Sequence, residues 1–90
     1  MVHRRLAIRN RLGLHARPAM GFASTAGGFQ CSVKVRRTDS AELVDGKSVM
    51  QMLMLACTHG TEIEIHCEGA DEQPALDALV RLVESRFEED

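Results

Sequence analysis

The stretch Gly13-Leu14-His15-Ala16-Arg17-Pro18-Ala19-Met20 gathers the residues of this chain best suited to chemistry. It sets one imidazole where a helix is about to start and a guanidinium two residues later. Pro18 fits a first helical turn, because the N–H it lacks has no intrahelical acceptor there anyway. The other N–H groups of that turn stand at the positive end of the helix dipole and form a ready anion site. Imidazole is a nucleophile that is uncharged at physiological pH and leaves readily once phosphorylated. Arg17 can meet phosphoryl oxygens in a fork, and the Ala16 and Arg17 amides can donate as well. The set suits reversible phosphoryl transfer, which asks of a protein mainly positioning and charge stabilisation. His3, His59 and His66 have no such neighbours and read as structural or solvent-facing.

A second stretch stands apart. Ser48 precedes a nearly continuous apolar run, Val49, Met50, Met52, Leu53, Met54 and Leu55. Serine in that place is ordinarily a helix N-cap. A helix apolar on so many sides has more hydrophobic surface than one buried face uses, so part of it is expected outside. Val49, Met50 and Leu53, with Met20 of the first stretch, are the partner-facing candidates; the plainer reading is that they are core. Methionine adapts its shape and suits a surface that must fit two partners in turn.

Periodicity supplies the elements that must hold these residues. Residues 1–8 read as a strand with Val2, Leu6 and Ile8 in phase and Arg4 interrupting, followed by a loop with Asn10 and Gly13 as turn-formers. Residues 16–26 read as a helix stopped by Gly27-Gly28. Residues 30–36 alternate, with Cys31, Val33 and Val35 pointing one way. Residues 41–44 read as a short edge strand before the turn signal Asp45-Gly46. A helix is expected over 48–57, with Gly60 as its stop. Residues 61–67 alternate again, Ile63, Ile65 and Cys67 in, Glu62, Glu64 and His66 out. Asp71 then reads as the cap of a helix running to about Phe87, with Leu76, Leu79, Val80, Val83 and Phe87 as its buried stripe. The tail Glu88-Glu89-Asp90 is expected to fray. The order β-α-β-β-α-β-α implies one antiparallel sheet with helices stacked on a single face.

Bulk properties exclude other classes. Ninety residues make one domain, 1–90. Three Phe with no Trp or Tyr, and a net charge of −2, argue against nucleic acid as a partner. Nine of eleven basic residues lie between Arg4 and Lys47, and ten of thirteen acids from Glu62 onward. That asymmetry reads either as a basic docking face or as charge pairing between strands of the two halves. Cys31, Cys57 and Cys67 form no CxxC pair, so neither a metal site nor a disulfide framework is expected, and no cofactor is implied. Free thiols, no leader pattern and no apolar run near 18 residues predict a cytoplasmic protein with no membrane insertion.

Gly13 to Met20 resembles the active-site signature of the HPr family, the histidine phosphocarriers of the bacterial phosphotransferase system. Lys47-Ser48-Val49-Met50-Gln51-Met52-Leu53-Met54-Leu55-Ala56 resembles, independently, that family's regulatory-serine signature. The two motifs fall in the family's order and the likeness spans the chain. It implies an α+β open-faced β-sandwich, with a four-stranded antiparallel sheet in the order 1-4-2-3 and three helices on one face. It implies that enzyme I, phosphorylated by phosphoenolpyruvate, passes its phosphoryl group to Nδ1 of His15, which passes it to an enzyme IIA domain. The protein would then be a monomeric relay component rather than an enzyme, with Ser48 open to regulation by an HPr kinase/phosphorylase. Asn10-Arg11-Leu12-Gly13, Ala19-Met20 and Phe87-Glu88-Glu89-Asp90 look closer to the nitrogen-branch type, and Lys47-Ser48 to members served by the kinase. Leu12 stands where many sugar-branch members have Asn. The competing class is a small α+β regulatory or ligand-binding module with no covalent step, which would leave the Gly13–Pro18 run unexplained.

Overall fold

The computed structural model describes residues 1–88. Its elements are β1 (Val2–Ala7), α1 (Ala16–Gly27), β2 (Ser32–Arg37), β3 (Val44–Asp45), α2 (Val49–Met54), β4 (Glu62–Glu68) and α3 (Glu72–Glu84), then a 3₁₀ turn at Arg86–Glu88. The strands form one antiparallel sheet in the order β1-β4-β2-β3. The expected α+β open-faced sandwich is therefore the fold.

Strand register follows the alternation of the sequence. Val2, Arg4 and Leu6 lie opposite Cys67, Ile65 and Ile63, and the same β4 residues lie opposite Val33, Val35 and Arg37. That face meets the helices, where Phe22 and Ala19 of α1, Met52 of α2, and Leu79 and Val83 of α3 are fully buried. Burying Phe22 alone stabilises the fold by about 1.5–3 kcal/mol relative to exposure. Arg4, a charged residue in the otherwise apolar phase of β1, reaches Glu84 of α3 at 3.6 Å.

The other face stays polar but is tied together. Glu64 is buried there, its carboxylate 3.0 Å from Arg36, 3.4 Å from Arg5 and 2.7 Å from Nε2 of His66. His3 stacks on His66 across the strand pair, ring centres 5.5 Å apart. Part of the charge asymmetry is thus strand-to-strand pairing. A shallow concavity of about 540 Å³ on this side, lined by Arg36, Ser40, Leu43 and His66 among others, contains none of the expected site residues.

Five expectations change. Glu64 is buried rather than outside, because Arg5, Arg36 and His66 close over it. The edge strand is only Val44–Asp45; the chain before it turns so that the Arg37, Thr38 and Ser40 carbonyls accept from the Arg36 guanidinium. Helix α2 stops at Met54, and Ala56 turns the chain with a φ of 53°. Helix α3 stops at Glu84; Arg86 and Phe87 take left-handed conformations that still let Phe87 pack on the core. Asp71 precedes α3, yet its side chain makes no cap bond. Its carboxylate instead accepts the Gln30 and Cys31 N–H groups, both at 2.8 Å, and so anchors the start of β2. Of the expected frayed tail, Glu89 and Asp90 lie outside the described residues.

Candidate functional site

His15 is the N-cap of α1. Its backbone is extended, at φ −83° and ψ −169°, and its carbonyl accepts the Ala19 N–H at 3.0 Å, the first intrahelical bond. The first-turn N–H groups of Ala16 and Arg17 have no acceptor within the helix, and Pro18 has none to offer. Ala16, Arg17 and Met20 are exposed while Pro18, Ala19, Phe22 and Ala23 are buried, so α1 turns the stripe of candidate residues outward. His15 is half-buried.

The loop ahead of His15 is built to hold it still. Asn10 is fully buried and its side-chain amide donates to the Gly13 carbonyl. Gly13 takes φ +73°, and a Cβ there would fall 2.5 Å from the Cys57 carbonyl oxygen. Only glycine accepts both that conformation and that approach. The Leu14 N–H donates to the same Cys57 carbonyl at 3.0 Å, and the Leu14 side chain is buried. One step outward, Gly60 donates to the Ile8 carbonyl at 2.7 Å and Ile8 to the Thr61 carbonyl at 2.8 Å. The His15 loop and residues 57–61 thus form one laced layer. Leu12 is exposed, and the side-chain bond within the loop comes from Asn10.

Ser48 caps α2, its Oγ accepting the Gln51 N–H at 3.2 Å. The Gln51 side chain reaches back to the Asp45 N–H at 2.8 Å, a reciprocal arrangement akin to a capping box. Gly46 lets this loop lie on the core, since a Cβ would meet Val33 Cγ1 at 2.6 Å. Lys47 turns away and donates to the Phe29 carbonyl at 2.7 Å.

Helix α2 packs beside α1, which brings the two motifs to one side of the molecule. Met20, Met50 and Leu53 are 58%, 72% and 37% exposed, so these three candidates lie outside the core; Val49 is half-buried against it. Met54, 74% exposed, joins them. It stands in a nearly continuous apolar run broken only by Gln51, where period alone does not say which side is inside. Asn10 reads from the sequence only as a turn-former, because its side-chain bond to the Gly13 carbonyl is one that no motif displays. No acidic residue occurs from Met1 through Thr38 or from Gly46 through Thr61, so both motifs, α1 and α2 are free of negative side chains.

The thiols stand apart from this chemistry. All three cysteines are buried and unbridged. Desolvation pushes Cys57 up to about 11 and Cys67 to about 12, which keeps them protonated and inert at neutral pH. No helix among the described residues is long and apolar enough to cross a membrane.

Comparison with known proteins agrees with this geometry. The family model described as "PTS HPr component phosphorylation site" matches residues 2–85. The chain is 48% identical to the phosphocarrier protein HPr of Pseudomonas aeruginosa, over 93% of its own length and 92% of the relative's. It is 46% identical to the phosphocarrier protein NPr of Proteus mirabilis, over 98% and 97%. The crystal structure of HPr-C-His from Thermoanaerobacter tengcongensis superposes with a TM-score of 0.93 at 38% identity, covering 100% of this chain and 99% of that one.

Proposed function

The chain belongs to the HPr family of phosphotransferase-system phosphocarriers, and from that premise we propose that His15 accepts a phosphoryl group from phosphorylated enzyme I and hands it to an enzyme IIA domain. The observation that carries the reading is the half-buried His15 at the N-cap of α1, with Arg17 exposed in the turn above it. A ring nitrogen of His15 attacks phosphorus as the P–N bond to the donor's histidine breaks, and the donor ring keeps the electron pair. The second transfer runs the same way with His15 as the leaving group. The Ala16 and Arg17 amides and the Arg17 guanidinium take up the charge on the phosphoryl oxygens. No cofactor or metal is needed, and the protein acts as a relay rather than an enzyme.

Partners dock on the side shared by α1 and α2. Met20, Val49, Met50 and Leu53 supply apolar contact. The absence of acids from both motifs favours partners with acidic surfaces. Such contacts are small and transient, since a carrier must let go, and one copy of the chain suffices. Phosphorylation of Ser48 by a kinase would place about −2 of charge on that side and weaken docking. A Ser48→Asp protein that accepts phosphate at the wild-type rate would remove this regulatory role.

The central test is direct. Incubation with enzyme I and labelled phosphoenolpyruvate gives wild-type protein an acid-labile, alkali-stable label. His15→Ala keeps the native spectrum and takes none. An unlabelled wild type would favour a non-covalent regulatory module, and a labelled alanine variant would place the chemistry elsewhere.

A further inference from the structure

Arg37 closes β2 and leaves the sheet on its helix-facing side, opposite Ile63. Its guanidinium is used on two edges. Nε and Nη2 each donate to Asp39 at 3.0 Å, one to each carboxylate oxygen. Nη1 donates to the carbonyls of Leu55 at 3.1 Å and Ala56 at 3.2 Å. Those carbonyls follow the last turn of α2, where helical carbonyls lack intrahelical donors and a cation is favoured.

The place is mechanically sensitive. Ala56 holds φ 53°, a conformation that costs a residue with a Cβ and persists only when its surroundings enforce it. The next residue, Cys57, presents the carbonyl that accepts the Leu14 N–H and that lies against Gly13. Leu14 precedes His15. The chain of contacts therefore runs from the Asp39 carboxylate to Arg37, to the Leu55 and Ala56 carbonyls, to Cys57, to Leu14. Every step is a hydrogen bond or a peptide link.

We infer that Arg37 is a positioning residue for His15: by fixing the left-handed exit of α2 it sets the Cys57 carbonyl that registers the active-site loop. The inference rests on the carrier reading for its consequence but not for its geometry. Arg37 touches neither His15 nor the transferred group. Its loss should leave docking nearly intact and make the imidazole less well aimed.

The test compares wild type, Arg37→Gln and Asp39→Asn by amide hydrogen exchange and by steady-state transfer from phosphorylated enzyme I. In Arg37→Gln, protection of the Leu14 amide should fall about tenfold or more while β4 and α3 amides hold theirs, because opening is local. The maximal transfer rate should fall about tenfold with KM within about twofold, the pattern of lost alignment rather than lost binding. Asp39→Asn, which keeps the guanidinium but loosens its clamp, should show the same pattern in smaller measure. Unchanged Leu14 protection would overturn the inference. So would protection lost evenly across the chain, or a change confined to KM. A wild type that takes no phosphoryl group would defeat the carrier reading instead, and the exchange pattern would still decide the link from Arg37 to the loop.

Discussion

At the scale of single residues, the site depends as much on what Gly13 lacks as on what His15 has. A methyl group at Gly13 would meet the Cys57 carbonyl at 2.5 Å and Thr58 Cα at 2.7 Å, on a backbone at φ +73°. Gly13→Ala should therefore cost about 1–3 kcal/mol from the backbone alone, with the clash adding to it. Gly21, in the middle of α1, has nothing within 4 Å of the corresponding position. Gly21→Ala should raise stability by about 0.5–1 kcal/mol, because glycine is a poor helix residue. Urea unfolding checks both: the midpoints should move in opposite directions with the slope unchanged. Equal and small shifts would mean that the laced loop is softer than its contacts imply. This residue-scale machinery was the most legible part of the chain. His15, Arg17 and Pro18 lie within one turn of the start of α1, so their spacing carries their geometry; Gly13 was legible as a turn-former, but the Cys57 carbonyl it must admit was not. Arg37 bonds backbone carbonyls eighteen and nineteen residues away, which leave no trace in spacing.

At the scale of elements, α2 shows how a helix of only six residues is made to persist. A helix that short is unstable alone, since nucleation costs more than so few hydrogen bonds return. It is held by a buried Met52 beneath it, the Ser48 cap at one end and the Arg37 guanidinium at the other. Ser48→Ala removes the acceptor of the Gln51 N–H and should destabilise the protein by about 1 kcal/mol. Thermal unfolding measures this. A loss near zero would mean that Gln51 and Asp45 alone define the start of the helix. The same logic explains which boundaries the sequence concealed. Ser48 and the apolar run marked the start of α2. Its end is set by an arginine from β2, so reasoning along the chain carried the helix on to Cys57. Asp71 misled for the mirror-image reason: an acid before a helix has the grammar of a cap, whereas its carboxylate serves the distant start of β2.

At the scale of the whole molecule, the charges that close the fold give it a stability window in pH. Asp71 lies below the ordinary carboxylate range because the Gln30 and Cys31 amides donate to it. Glu72 is lowered by the Gly69 amide and the terminal amine. Glu64 is lowered by His66 and then Arg36, against the desolvation of its buried place. A carboxylate whose folded value is depressed stabilises the fold above its unfolded value, and that contribution fades as pH falls through the folded one. Acid destabilisation should thus begin as pH drops below about 4.5 and deepen further down. The thiols act at the other end. Cys57 and Cys67, held at about 11 and about 12 by burial, stay protonated while an unfolded thiol ionises. A group raised in the fold leaves stability whole below its unfolded value, and that stability is lost as pH climbs toward the folded one. Urea midpoints should therefore be level around neutrality, fall on the acid side, and fall again above about pH 8.5. Asp71→Asn should flatten the acid limb. Cys57→Ala with Cys67→Ala should flatten the alkaline limb even though the pair lowers the plateau, because the missing sulfur volume costs packing at every pH while the proton linkage is lost only there. An alkaline slope as steep in the double variant as in wild type would show that other groups, not the buried thiols, set that edge of the window.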